Sequence, residues 1–376
     1  MNHFRSYQSL ELTGLGDKHI VLCGANGAGK TNILEALSLL SPGKGLRQAR
    51  ISELQQTNSP DHTPWSILAK IGTLYGPVRI GTGREINTDK RLIRINGEAA
   101  KNQGSLAEWL SCLWLTPQMD RLFLDDKASR RKFFDRLVFT FDPAHMGRLT
   151  RYENAMRQRL KLLKDGQHEP VWLSALESQM AETGIALCAA RHIFCDKLQN
   201  AYHNATQEEK DHFPGARLGL DGEVEEMLKH SSALEAEEKL RKVLEKNRKS
   251  DSESGTTACG PHRSDFFVFY ADKHRSAASS STGEQKALLI GIILAHARLL
   301  KEEQGQAPLL LLDEIVAHLD PGRRRVLASL LGHYGSQIWM TGTDPTLFEE
   351  FKPHSSFFTV SESSETGASS VILSNA

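Results

Sequence analysis

The apolar positions of this chain change period twice, and the changes divide it into three stretches. In the first, Val78-Arg79-Ile80-Gly81 and Arg91-Leu92-Ile93-Arg94-Ile95 alternate roughly with period two. That pattern predicts half-buried strands, and Asn96-Gly97 behind the second is a hairpin turn signal. Residues 1–117 therefore read as short strands and turns around one helix. Residues 118–250 read as helical. Trp172, Leu173, Leu176, Met180, Leu187, Phe194 and Leu198 recur mostly at spacings of three or four, and Glu223 to Lys249 is a second helical stretch, dense in charge and rich in Leu. Asp251-Ser252-Glu253-Ser254-Gly255 reads as a loop. From Gly260 onward strand and helix alternate again, and Leu309–Leu312 form a continuous apolar run expected of a buried strand. The polar tail, Ser361 to Ala376, reads as a last strand or a partly disordered end. The expected architecture is an α/β head made of residues 1–117 and 251–376, split in sequence by a helical lobe over 118–250.

Two glycine-bearing stretches sit where strand turns to helix. Gly24-Ala25-Asn26-Gly27-Ala28-Gly29-Lys30-Thr31 matches G-x-x-x-x-G-K-[ST] at every fixed position, with an apolar run before it and an apparent helix after it. Glycines let backbone N–H groups turn inward around an anion, and the following helix adds the positive end of its dipole. Lys30 is then the group to reach the β- and γ-phosphates of ATP, and the Thr31 hydroxyl a ligand of Mg²⁺. The second stretch, Ser280-Ser281-Thr282-Gly283-Glu284-Gln285-Lys286, opens another helix. Alone it is an ordinary capping box, with Ser281 as N-cap and Glu284 three residues on. A subunit whose phosphates already sit on one P-loop has no obvious use for a second anion-facing helix start. It makes sense if it closes on the nucleotide of another subunit.

The apolar run 309–312 ends in Asp313-Glu314. Ligands of α/β sheets bind at the carboxyl ends of strands, so Asp313 is placed for the Mg²⁺ shell and Glu314 for orienting and deprotonating a water. A helix start with two acids in its first turn would look the same in isolation.

Composition narrows the partners. Lys+Arg and Asp+Glu are both 46, so net charge gives no support for nucleic-acid binding and any DNA site must be a local patch. Lys127, Arg130, Arg131, Lys132 and Arg136 form one basic cluster; Arg148, Arg151, Arg157, Arg159, Lys161 and Lys164 form a second. Aromatic content is 7%, which favours contact with a duplex backbone over stacking of single strands. The five cysteines include no C-x-x-C pair, so no zinc hook is expected, and their scatter fits a reducing cytoplasm. No segment approaches the length of an apolar membrane span, and none at the N-terminus has a signal-peptide core.

In order along the chain, the P-loop, Ser281-Thr282-Gly283-Glu284-Gln285, Leu309–Glu314 and Ala317-His318-Leu319-Asp320 resemble the ABC-type ATPases. Within these the chain resembles the RecF family, relatives of the SMC proteins. Phe4-Arg5-Ser6-Tyr7 resembles the family's F-R-N-Y, Gly260-Pro261-His262-Arg263-Ser264-Asp265 its G-P-H-R-x-D, and Thr341-Gly342-Thr343-Asp344 its T-x-T-D. Thr116 to Asp120 followed by Arg130 to Asp135 resembles a further family segment. Gln118 stands where many relatives carry a carboxylate and is a candidate metal and water contact. Relatives begin their first strand several residues ahead of F-R-N-Y, so the resemblance implies a start displaced from theirs. It also implies an ATP-dependent homodimer in which Ser281, Gly283, Glu284, Gln285 and Lys286 of one subunit face the nucleotide of the other. Asp320 would couple the two sites and Thr343 would sense the γ-phosphate. It implies duplex or gapped DNA as ligand, contacted by Arg130, Arg131, Lys132, Arg151 and Arg157, with RecR- and RecO-type partners and a role in loading RecA. Hydrolysis would be weak and DNA-stimulated, and no membrane would be involved. A transporter nucleotide-binding domain keeps its motifs closer together, and SMC and hook ATPases place a far longer coiled coil between them. Another short-armed SMC-like ATPase remains the nearest alternative. A metabolic P-loop kinase would need neither Ser281–Lys286 nor Ala317–Asp320.

Overall fold

A computed structural model describes residues 1–56, 63–73, 75–86, 88–166, 169–208, 214–332, 334–363 and 367–374. The first elements are β1 (Asn2–Phe4), β2 (Tyr7–Ser9), β3 (His19–Cys23), α1 (Lys30–Ser38), β4 (Ser66–Thr73), β5 (Gly76–Arg84), β6 (Arg91–Ile95), β7 (Glu98–Ala99) and β8 (Cys112–Leu115). Next come α2 (Lys127–Phe141), α3 (Ala144–Lys164), α4 (Pro170–Glu208), β9 (Ala216–Asp221), α5 (Glu223–His230), α6 (Ala233–Lys246), α7 (Arg248–Ser254), β10 (Asp265–Tyr270) and β11 (Arg275–Ser276). The last are α8 (Thr282–Gln304), β12 (Leu309–Leu312), α9 (Pro321–Gly332), β13 (Ile338–Gly342), β14 (Ser355–Glu362) and β15 (Ser369–Leu373).

The chain divides into two compact units, Met1–Met119 with Ala297–Ala376, and Asp120–His296. The first unit holds two sheets. One has the order β15-β14-β3-β13-β12-β8, and from β14 to β8 every pairing is parallel. Its central strands are apolar on both faces because both are covered; Leu310, Leu311, Ile338 and Met340 are all fully buried. The other is antiparallel, order β2-β1-β4-β5-β6-β7, and alternates as the sequence pattern required. Val78, Ile80 and Ile93 are buried while Arg79, Leu92 and Arg94 are exposed. Asn96 and Gly97, both at positive φ, make the β6–β7 turn. Helix α1 serves both cores, giving Ile33 and Leu34 to the parallel sheet and Ala36 to the antiparallel one. The polar tail supplies β15, paired antiparallel with β14; residues 364–366 and 375–376 of that tail lie outside the described residues.

The second unit is built on α3 and α4 with a three-stranded sheet, order β11-β10-β9. Its apolar core includes Tyr152, Leu163, Leu173, Met180, Leu187 and Leu240. One expectation fails here, and one boundary differs. Residues 251–255 are not a loop: Asp251–Ser254 close α7, and Gly255 at φ 66° is its left-handed C-cap. The boundary set at 250/251 also differs from the compact division. Residues 251–296 pack with the second unit because β10 pairs with β9 along its whole length and Arg130 bonds Asp265.

Candidate nucleotide-binding site

Two sequence-distant motifs meet at the carboxyl edge of the parallel sheet. The P-loop leaves β3 and Asp313 leaves β12, with β13 between those strands. Gly27 and Gly29 take φ of 85° and 104°, so the loop bends as only glycine does freely. A Cβ on Gly29 would stand 2.5 Å from Ser369 Oγ and 2.8 Å from Ser6 Oγ. The Phe4–Tyr7 motif finds its use here. Tyr7 donates to the Gly29 carbonyl at 3.1 Å, and the Ser6 hydroxyl accepts from Asn32 at 2.9 Å. Arg5 donates twice to the buried Glu35 of α1, at 2.7 and 2.8 Å. The motif therefore braces the helix that starts at the phosphate seat.

Lys30 is buried, and its Nζ donates to the carbonyls of Gly24 and Ala25, each at 2.8 Å. Burial lowers its pKa, while Glu314 and Asp313 oppose that shift. A cation folded over its own loop at the mouth of an anion cradle suits a phosphate as its next partner. Thr31 Oγ1 donates to both Asp313 oxygens, at 2.9 and 3.1 Å. A hydroxyl and a carboxylate side by side are hard oxygen donors, which fits Mg²⁺ held by few protein groups together with phosphates. Among the described residues no group of three or more His, Cys, Asp or Glu could hold a metal by itself. Glu314 follows Asp313 in the left-handed region, φ 51°. Asn26, exposed like Ala25 and Gly27, lies at the loop's tip, while Ala28 is buried.

Other expected positions are placed as follows. Gln118 is exposed in a 3-10 turn directly after β8, at the same sheet edge. Thr343 is exposed just beyond β13. Asp320 accepts the Arg323 N–H at 3.0 Å and caps α9. The capping box exists: Glu284 N–H donates to Ser281 Oγ, and Glu284 accepts the Ser281 N–H at 2.8 Å. Ser281 and Thr282 are exposed, but Gln285 and Lys286 are buried. Gln285 donates to the Ser280 carbonyl at 2.9 Å and Lys286 pairs with Asp120 at 3.3 Å. Glu284 pairs with Lys273 and Arg275, and the bond from Lys273, helped by those from Ser281, holds its carboxyl down at about 2 against burial. The outward part of this motif is thus Ser281 to Gly283.

The basic clusters shrink on folding. Arg130 forms a two-pronged pair with Asp265, both bonds 2.8 Å, and Arg131 donates to the Ser264 carbonyl at 2.8 Å. Arg159 is fully buried, bonded to Glu177 at 3.0 Å and Asp251 at 2.7 Å, so it belongs to the core. Lys132, Arg151 and Arg157 stay exposed. A basic surface that the linear clusters did not signal lies on the antiparallel sheet. Lys70 stands opposite Arg79, and Arg94 opposite Gly81, all on the exposed face. Among the described residues no acid pairs with these three. The period-two pattern contained the signal, since the exposed positions of β4 to β6 carry Lys70, Arg79 and Arg94 among uncharged residues and no acid.

A P-loop and an Asp-Glu strand end at one edge of a parallel sheet, with a capped helix start at Ser281 between them in sequence, define an ABC-type ATPase head. The profile of the RecF/RecN/SMC N-terminal domain family matches residues 1–366. The DNA replication and repair protein RecF of Rhizobium etli is 44% identical over 364 residues, 96% of each chain. That of Rhizobium meliloti is 42% identical, over 98% of this chain and 97% of the relative. The chain belongs to the RecF family. Among solved structures, the recombination mediator RecF–ATP of the RecFOR pathway superposes with a TM-score of 0.84 at 23% identity, covering 99% of this chain and 95% of that one. An SMC head bound to the winged-helix domain of ScpA gives 0.56 at 16% identity, covering 98% and 94%. Both likenesses concern the fold. Among the described residues no helix is long and apolar enough to cross a membrane.

Proposed function

We propose that this protein is an ATP-switched DNA-binding protein of replication and recombinational repair. The observation that carries the reading is the meeting of Thr31 with Asp313 beside Lys30, in a chain of the RecF family. ATP sits with its phosphates on Gly24–Thr31; Thr31 and Asp313, with Gln118 as a further contact, would hold Mg²⁺, which would neutralise phosphate charge there. Ser281 and Gly283 of a second copy close on the γ-phosphate, so two equivalent sites hold a two-fold dimer together. Glu314 takes the proton of the attacking water, and slow hydrolysis releases the dimer. Asp320 couples the sites and Thr343 reads the γ-phosphate. DNA backbone is held by Lys132, Arg151 and Arg157 and by the Lys70–Arg79–Arg94 face. RecR- and RecO-type proteins are the expected partners, and loading of RecA at gapped DNA the expected outcome.

The test is the mass in solution without nucleotide, with ADP, and with a non-hydrolysable ATP analogue. A dimer only with the analogue is expected, strengthened by duplex DNA, lost in Lys30→Ala, and accumulating with ATP in Glu314→Gln. A monomer in every state would overturn the dimer switch. Normal hydrolysis by Glu314→Gln would remove the base assignment.

A further inference from the structure

Thr341 belongs to neither phosphate motif, yet it bonds at the centre of the site. It is fully buried at the carboxyl end of β13, the strand lying between the one that feeds the P-loop and the one that ends in Asp313. Its Oγ1 donates to Asp313 Oδ1 at 2.6 Å and accepts the Glu314 backbone N–H at 3.0 Å. Thr31 donates to the same carboxylate, 2.9 Å from Oδ1 and 3.1 Å from Oδ2. One hydroxyl thus touches both acids that the proposed chemistry uses.

Several features set this contact apart from a buried threonine satisfying itself. A β-strand threonine commonly bonds a neighbouring backbone group, but this one spends its single proton on an ionisable carboxylate. A hydroxyl has one proton and two lone pairs, so it can donate to Asp313 and accept from Glu314 at once. Glu314 also departs from the strand in the left-handed region, which is costly for a non-glycine residue. Its N–H is the tether that Thr341 supplies. With Oδ1 bonded by Thr341 at 2.6 Å and by Thr31 at 2.9 Å, and Oδ2 by Thr31 at 3.1 Å, the Asp313 carboxylate is fixed in rotation.

We infer that Thr341 is the positioning residue of this site: it fixes the rotation of the Asp313 carboxylate and the strained turn that aims Glu314. The inference rests on the proposed roles of Asp313 and Glu314. It assigns Thr341 no contact with ATP. Its loss therefore lowers the rate of hydrolysis and weakens the hold of the site on Mg²⁺, while nucleotide affinity without Mg²⁺ stays near that of the parent.

Thr341→Val keeps the shape and removes the hydroxyl; Thr341→Ser keeps the hydroxyl. Three readouts are compared: hydrolysis rate, affinity for a fluorescent ATP analogue with and without Mg²⁺, and hydrogen exchange at the Glu314 amide in the nucleotide-free chain. In Thr341→Val the hydrolysis rate and the Mg²⁺ affinity are expected to fall about 10–100-fold, the usual range for groups behind a metal ligand. ATP affinity without Mg²⁺ should change little, the gain in affinity on adding Mg²⁺ should shrink, the Glu314 amide should exchange faster, and Thr341→Ser should restore the parent behaviour. Parent-like hydrolysis in Thr341→Val would overturn the inference. So would a proportional loss of ATP binding and hydrolysis with unchanged Glu314 exchange, which would mark a general defect of the site. Glu314→Gln separates the underlying reading. If it is inactive while Thr341→Val is normal, the base assignment stands and the positioning role fails. If it is active while Thr341→Val is impaired, the base assignment fails and Thr341 acts through Asp313 alone.

Discussion

His262 carries a pH dependence that its burial creates. It lies in Gly260–Asp265, yet it is packed in the second unit, with Tyr152 Oη 2.7 Å from Nδ1 and the Thr257 carbonyl 2.9 Å from Nε2. With the proton on Nε2, the neutral ring accepts from Tyr152 and donates to Thr257. Burial lowers its pKa to about 4; the nearby Arg263 and Arg131 push the same way, and Asp251 and the bond to Thr257 push back. The unfolded chain binds the proton first on acidification. Stability from this group is therefore complete above about pH 6.5 and is lost as pH falls toward about 4. Denaturant titrations across that window should show stability dropping with acid in the parent. The drop should be smaller in His262→Gln, which starts less stable at neutral pH. An equal drop in both would assign the dependence elsewhere.

At the scale of elements, helix α8 carries two duties on one residue. Ser281 caps it through the Glu284 N–H, and the proposed function asks the same side chain to face a phosphate. The duties separate by substitution. Ser281→Ala removes the cap and should cost about 1 kcal/mol of stability. Ser281→Asp keeps a capping oxygen and adds a negative charge. It should leave the thermal midpoint near the parent's and abolish the ATP-dependent dimer. A Ser281→Asp protein that dimerises normally would show that Ser281 does not face the nucleotide. The helical unit itself is stapled by charge. Arg159 of α3 bonds Glu177 of α4, Asp251 of α7 and the Leu244 carbonyl of α6. Glu177 also takes Arg248 at 2.6 Å. Four helices thus share one buried network, in which removing a single partner strands a buried charge.

At the scale of the whole molecule, zero net charge means that the proposed DNA affinity has to come from local surfaces. Each phosphate neutralised should contribute about −0.9 to the slope of log K against log salt on a duplex. Replacing Lys70, Arg79 and Arg94 together by Gln should make that slope shallower by up to about 2.7, by the same rule, and leave ATP binding intact. Like charges directly opposite each other, as Lys70 and Arg79 are, ordinarily weaken a sheet, so the triple variant should be no less stable. An unchanged slope would remove this face from the DNA site. Much of the molecule was legible in one dimension. The P-loop, the Asp-Glu strand end, the capping box and the Asn96-Gly97 turn depend on neighbours a few positions away, and each formed where the sequence placed it. The helix over 248–254 was not legible, because its acidic and serine residues look like a loop until Arg159 and Gly255 fix it. Nor could the sequence say which cations stay free. Arg130, Arg131 and Arg159 read like Arg151 and Arg157, and only the fold brings Asp265, the Ser264 carbonyl, Glu177 and Asp251 to the first three. The sequence by itself determined the chemistry available, because phosphate seats and caps are local backbone devices. The tertiary structure decided which side chains remain free to use it and that Thr341 stands beside Asp313, because partners so distant in sequence are joined only when β13 lies between β3 and β12.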